Sequence, residues 1–195
     1  GGFIMWFAVM MVMPLVFLVI GSFMRRYGFF NLKDPFTLMH WQNMFTDPVF
    51  LGSLKNSLML ASITAVMGVL LYSAVGYMLA SPRKPKSAMA LEFFCWLPWV
   101  IPGILLGLGL LWIFLATPLS SLLYGTILGI ALALTIQDSP VSTQAFKSGF
   151  LQLGQDLEES ARVAGASWFY TYRRILLPLV APVALTVGML NFGSA

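Results

Sequence analysis

Residues 93–136 supply 44 consecutive positions without a charged side chain, and no other feature restricts the fold as severely. As one helix rising 1.5 Å per residue they would measure roughly 66 Å, about twice the hydrocarbon thickness of a bilayer. The run must therefore fold back on itself. Thr117-Pro118-Leu119-Ser120-Ser121 is the turn-forming cluster near its middle. That placement predicts one span over residues 92–116 and another from Leu122 into the 140s.

Composition agrees with a membrane solution. The chain is 59% hydrophobic and 9% charged, whereas a soluble domain has about 45–50% apolar and about 25% charged residues. Disordered, coiled-coil and nucleic-acid-binding chains are excluded on these figures. A balance of 11 Lys+Arg against 7 Asp+Glu is too thin for a DNA-binding face. The lone Cys95 excludes an internal disulfide and a multi-cysteine metal site.

Three further spans complete the expected pattern. Residues 3–23 carry no charge and end at Arg25-Arg26. They lack the basic start and small-residue cleavage site of a signal peptide, so they are read as a true span. Residues 56–80 are likewise uncharged and stop at Ser81-Pro82-Arg83-Lys84-Pro85-Lys86, a tight solvated turn. The last begins near Ile175 and reaches Ala195 without a closing charge. With a Gly-Gly start and an apolar end, the sequence is expected to be a fragment of a longer protein.

With five crossings, residues 81–91 and 147–174 share one face and hold Arg83, Lys84, Lys86, Lys147, Arg162, Arg173 and Arg174. The opposite face holds Arg25, Arg26, Lys33 and Lys55. The excess of cations predicts that the first face is cytoplasmic.

The segment 155–178 is more than a connector. Asp156, Glu158 and Glu159 open it, small residues follow, and Arg173-Arg174 come before the next apolar run. Acids early and cations late match the polarity of a helix. Glu159 and Arg162 stand at i, i+3 on one helical face. Ala161, Ala164 and Gly165 would let another backbone approach, and Gly165 can supply a bend. Two readings fit: a helix-turn-helix offering a docking surface, or an amphipathic connector anchored in the headgroups by Trp168, Phe169, Tyr170 and Tyr172.

Other residues admit paired readings too. Pro98, Pro102 and Gly103 suit a bent, closely packed gate helix, with Gly103, Gly107, Gly125 and Gly129 in small-xxx-small patterns. Equally, Gly and Pro are simply frequent in membrane helices. Asp138, beside Gln137, is either an intramembrane functional acid or a group near the boundary, snorkelling or capping a helix before Pro140. Glu92 is interfacial. His40 stands beside Trp41 with no second metal ligand nearby.

The segment also resembles the EAA loop of binding-protein-dependent ABC importer permeases. Their pattern is Glu-Ala-Ala, three residues, Gly, nine residues, Ile, one residue, Leu-Pro. This chain supplies Glu159, Ser160, Ala161, Gly165, Ile175, Leu177 and Pro178 at those spacings, Ser160 replacing the first Ala. The resemblance extends from Leu54-Lys55-Asn56-Ser57-Leu58 to the end. It implies an all-α polytopic helical bundle of the MetI-like type I fold, with five spans here and a sixth missing. Residues 1–53 become a first transmembrane helix plus periplasmic loop, and residues 54–195 the permease core.

The implied location is the bacterial inner membrane, with the loop in the cytoplasm as a coupling helix seated in an ATPase groove. The implied partners are a cytoplasmic ABC ATPase dimer, a second permease subunit or fused half, an extracytoplasmic substrate-binding protein and the lipid bilayer. Trp96-Leu97-Pro98-Trp99 through Gly103 looks like the ferric iron, polyamine, thiamine or phosphonate branch rather than the sugar branch. Leu190-Asn191-Phe192-Gly193-Ser194-Ala195 looks like its ferric iron members. No GxxxxGK[ST] loop is present. ATP and Mg are thus expected on the partner ATPase, with no cofactor, metal or catalytic residue in this chain. The alternative from another class is an ion-coupled secondary transporter or channel, which would need intramembrane charges or broken helices at the midplane; only Asp138 is available, which argues against it.

Overall fold

The computed structural model describes residues 2–26, 28, 34–81, 87–154 and 156–195, apart from the side chain of Ile4. The expected turn at 82–86, with Arg83, Lys84 and Lys86, lies outside them, as do Lys33 and Gln155. The described residues are helical and contain no strand; Met24 and Phe36 make an isolated antiparallel bridge. The chain divides into two compact units, Gly1–Lys55 and Asn56–Ala195.

In the first unit, α1 (Gly2–Ser22) is apolar throughout, and its 18-residue window Met5–Ser22 has none of its residues buried within the chain. A helix that is apolar all round has lipid as its natural surroundings. Arg25 N–H donates to the Pro35 carbonyl at 2.8 Å and Thr37 N–H to the Phe23 carbonyl at 2.6 Å. Helix α2 (Met39–Thr46) follows, its Trp41 ring stacked between Phe23 and Phe45. The Asp47 carboxylate then accepts the Val49 N–H at 2.9 Å, and Pro48 stands first in α3 (Pro48–Ala80). An acid cap followed by proline is a strong helix start. It sets the beginning of α3 eight residues ahead of the expected Asn56.

The second unit contains the rest of α3, then α4 (Ala88–Val100), α5 (Gly103–Ala116), a single turn α6 (Ser120–Leu123), α7 (Ile127–Gln137) and α8 (Ser139–Gln152). Beyond these lie α9 (Asp156–Val163), α10 (Trp168–Leu179) and α11 (Ala181–Ser194). Its core joins Tyr72 and Tyr77 of α3, Phe146 and Phe150 of α8, Leu176 and Val180, and Val187 of α11. Helices α3 and α8 meet backbone to backbone. A Cβ built on Gly76 would lie 2.6 Å from the Phe146 Cβ and 2.9 Å from the Lys147 amide nitrogen. Glycine is the residue that permits such an approach.

Tyr72, Thr135, Ser142 and Asn191 are paired inside this apolar core, while the buried hydroxyls of Thr64 and Thr143 have no hydrogen-bond partner among the described residues. The Tyr72 hydroxyl donates to the Thr135 carbonyl and lies 3.3 Å from Asn191 Oδ1. Asn191, 1% exposed, donates through Nδ2 to Ser142 Oγ at 3.2 Å and to the Val187 carbonyl at 2.8 Å. Such pairing is what makes buried polar groups tolerable in a dry interior. Glu92 of α4 forms an ion pair with Lys147 of α8, both half-buried, which ties α4 to the same bundle.

Among the described residues, two unbroken helices are long and apolar enough to cross a membrane, α1 and α3, or up to four if each of two bent pairs is one span. The five expected crossings are therefore not all present as simple helices. The expected span from Leu122 into the 140s is realised as α6, α7 and α8. Its apolar part, α7, has 11 residues, about 16 Å, roughly half a bilayer core. Pro140 explains the division: it has no N–H to return to the Ile136 carbonyl. Asp138 sits at the junction, half-buried, and accepts the Ser194 hydroxyl at 2.7 Å.

Candidate functional site

The segment singled out at 155–178 folds as a helix-turn-helix whose geometry follows from three residues. Helix α9 carries Asp156, Glu158 and Glu159 in its first turn and Arg162 in its last, each placed favourably on the helix dipole. Gly165 ends it with φ +81°. The Gly165 N–H donates to the Arg162 carbonyl at 3.0 Å and the Ala166 N–H to the Ala161 carbonyl at 2.9 Å. This pair of bonds is a Schellman motif, which needs a left-handed residue at the position Gly165 occupies. Ser167 then opens α10, its Oγ accepting the Tyr170 N–H at 3.3 Å.

Space around Gly165 is open, so its constraint is the backbone angle rather than crowding. Gly165→Ala is accordingly expected to lower the stability of this turn by about 1 kcal/mol. Thermal unfolding of the purified protein, with Gly107→Ala as a reference, would measure it.

The two faces of α9 differ. Ala161 is buried at 8% exposure, while Glu159, Ser160, Val163 and Ala164 are exposed, Val163 at 91%. The expected small-residue surface is thus divided: Ala161 turns inward, and Ala164 and Gly165 stay outside. Arg162 does not pair with Glu159 as its i, i+3 spacing suggested. Arg162 and Glu158 instead line a cavity of about 410 Å³, together with Tyr77, Ser81, Trp168 and Thr171. The i, i+4 spacing of Glu158 and Arg162 was the available signal, as was the spacing that puts Val163 one turn beyond Glu159.

The remaining motif residues lie on α10. Its central turn, Tyr172–Leu176, is π-helical, and the Leu177 N–H reaches back to the Tyr172 carbonyl. Pro178 accounts for this: its ring and missing N–H disrupt the ordinary bond to Arg174, and a widened turn absorbs the mismatch. Ile175 and Leu177 are half-buried, Pro178 is exposed, and Leu176 between them is a core residue. The next break comes at Val180, where α10 and α11 are bent by 74°. The helix that leads into the last expected span thus begins at Trp168, ahead of Ile175, and is bent at Val180.

Behind α9, aromatic rings secure the loop to the bundle. Trp168 and Tyr172 stack at 5.7 Å with planes 9° apart. Trp168 Nε1 donates to the Tyr77 hydroxyl at 3.1 Å, and the Tyr172 hydroxyl to Ser73 Oγ at 2.9 Å. The Tyr77 ring meets Phe150 edge-on at 5.5 Å. Sequence reading took Trp168 and Tyr172 as possible headgroup anchors. Their partners on α3 lie about 100 residues away in sequence, so no local spacing reveals them.

Pro98, Pro102 and Gly103 mark a reversal rather than a kink. Ile101 and Pro102 are extended, and α4 and α5 are bent by 120°. Pro98 lies within α4 and Gly103 opens α5. Among the described residues of this chain, a Cβ on Gly103, Gly107 or Gly125 would meet nothing within 4 Å, whereas Gly129 lies against the Leu123 backbone. Gly125 serves a turn instead, at φ +70°.

Residues 72–195 match the family described as binding-protein-dependent transport system inner membrane component. The chain is 30% identical over 193 residues to the probable ABC transporter permease protein y4fN of Sinorhizobium fredii, covering 96% of this chain and 34% of that protein. It is 30% identical over 149 residues to the molybdate/tungstate transport system permease protein WtpB of Thermococcus kodakarensis, covering 76% and 58%. With the putative ferric transport system permease protein FbpB 1 of Haemophilus influenzae the figures are 28% over 177 residues, 88% and 27%. Permeases named for sugar transport are matched as well. The chain thus spans between about a quarter and two-thirds of the length of these relatives.

Proposed function

This chain belongs to the binding-protein-dependent transport system inner membrane components, and from that premise we propose that it couples solute import to a separate ATPase through α9. It is a permease part rather than an enzyme, and a multi-pass inner-membrane protein. The observation that supports the coupling role is the two-sidedness of α9. Glu159, Ser160, Val163 and Ala164 form an outward strip, while Ala161 and the Trp168–Tyr77 contact hold the loop from behind.

In this reading a groove of the cytoplasmic ATPase receives the strip, Glu159 supplies the charge that the groove neutralises, and Val163 its apolar contact. ATP and Mg are bound by that partner. Closure of the ATPase dimer displaces α9, and the spans, with those of a second permease subunit or fused half, alternate their opening between the two faces. A binding protein delivers the solute from outside. Gly165 and Pro178 act by shaping the loop, Ile175 and Leu177 by packing it.

The cargo is a small solute. Ferric iron is its proposed identity from the resemblance at residues 96–103 and 190–195, and it shares a relative's printed name. Relatives named for molybdate/tungstate and for sugars leave those as the competing cargoes. Against the ion-coupled alternative stands the match to a binding-protein-dependent family, although Asp138 does lie at a helix junction, with the Ser194 hydroxyl as its partner.

The test is to co-express the tagged full-length permease with the ATPase encoded beside it. The ATPase should co-purify, and a membrane-impermeant maleimide should label Ser160→Cys, in a Cys95→Ser background, in inside-out vesicles but not in intact cells. Labelling from outside would refute the assignment.

A further inference from the structure

Motion at α9 has two routes into the bundle. One follows the chain along α10 into α11. The other crosses through side chains from α10 to α3 and α8. The chain route is interrupted twice, by the π-helical turn at Tyr172–Leu176 and by the 74° bend at Val180. Both lie between α9 and α11, so the path along the chain is not one straight helix.

The lateral route is short and passes from the exposed Trp168 to buried residues of α3. Trp168 begins α10 four residues after Ala164, and the described contacts run directly from it to α3. The indole N–H is bonded to the Tyr77 hydroxyl, the Tyr172 ring stacks on the indole, and the Tyr172 hydroxyl is bonded to Ser73, which is 2% exposed. Tyr77 and Phe150 are each 7% exposed and in edge contact. One turn away, Gly76 allows α3 and α8 to touch backbone to backbone. A push on Trp168 therefore meets two helices already locked together. Close-packed interiors move as blocks rather than deforming continuously.

We infer that Trp168, Tyr172, Tyr77 and Ser73 form an aromatic relay that carries the movement of the coupling loop sideways into α3 and α8. These are positioning residues acting behind the docking strip. The inference rests on the permease reading above, and it adds which helices receive the motion. Because coupling between two sites is reciprocal, the same relay carries the signal of the binding protein back to the ATPase.

The experiment uses the full transporter in nanodiscs, with the binding protein encoded beside it added as purified. In wild type, that protein stimulates ATP hydrolysis. Trp168→Ala should lower stimulation by about tenfold or more, within the usual span of coupling free energies and well beyond any change in basal hydrolysis or ATPase co-purification. Trp168→Phe, which restores the ring without the N–H, should recover a substantial part. Full stimulation in Trp168→Ala, or equal loss in both variants, overturns the relay.

If Trp168→Ala fails to assemble, Tyr77→Cys with Trp168→Cys, in the Cys95→Ser background, gives a second readout. Bridging the pair with a bifunctional thiosulfonate should raise stimulation above the unbridged protein. No change on bridging overturns the relay. Absence of the ATPase from the wild-type preparation is a different result: it overturns the permease reading itself.

Discussion

Glu159→Lys abolishes association of the permease with its ATPase while leaving insertion and folding intact; that is the result expected if the outward strip of α9 is the docking surface. The residue is exposed, in the first turn of a helix whose dipole favours an acid there. Replacement by lysine costs the isolated protein little, since exposed charges contribute at most about 1 kcal/mol. At a buried interface the balance changes. Reversing a charge that a partner neutralises costs about 3 kcal/mol or more, about a hundredfold or more in Kd. Co-purification of the tagged permease with its ATPase, beside thermal unfolding of the permease alone, separates the two effects. Normal ATPase recovery with the variant would sink the assignment.

Gly76→Val is expected to destabilise the second unit strongly. The added Cβ would lie 2.6 Å from the Phe146 Cβ, with the Lys147 amide nitrogen at 2.9 Å. Neither is the far end of a flexible side chain that can swing aside. Helices α3 and α8 would have to separate, loosening Tyr72, Tyr77, Phe146 and Phe150 together. The cost is about 3 kcal/mol or more, near the upper end for overpacked cores, and an apparent Tm lower by about 10 °C. Gly107→Ala provides the contrast. Nothing lies within 4 Å of its Cβ, so its Tm should stay within about 3 °C of wild type. Equal shifts from the two substitutions would mean that α3 and α8 are not in backbone contact.

What could be read before any coordinates were known was local chemistry. The uncharged run at 93–136 demanded a reversal, and the turn formed where Thr117 and Pro118 stand, between α5 and α6. The helix-turn-helix over α9 and α10 was legible because its acids, its cations and Gly165 each act within a few residues of themselves. Breaks near proline were legible for the same reason, although not their size: a 120° reversal at Pro102 had been read as a kink.

Which way a helix faces was another matter. From sequence alone, Ala161 and Ala164 were equivalent small residues on a docking surface, yet Ala161 is buried and Ala164 exposed. Likewise Gly103 and Gly107 looked like close-packing glycines, but within this chain Gly76, four residues before Ala80, holds that role. In a chain that is apolar on nearly every side, hydrophobicity has little angular contrast, so periodicity cannot report rotation.

The amino-acid order by itself therefore left the bounds of the helices open, but settled the class of the molecule, several of its turns and the motif that resembles its family's. Those follow from hydrophobic length, proline's missing N–H and glycine's access to positive φ, all properties of a residue and its neighbours. Tertiary structure alone decided that Tyr72 meets Asn191 across 119 residues, that Trp168 reaches Tyr77 across 91, and that α3 lies against α8. Each of these is a contact between distant segments, fixed by the requirement that polar groups in an apolar interior find partners and that the surfaces around them close without voids.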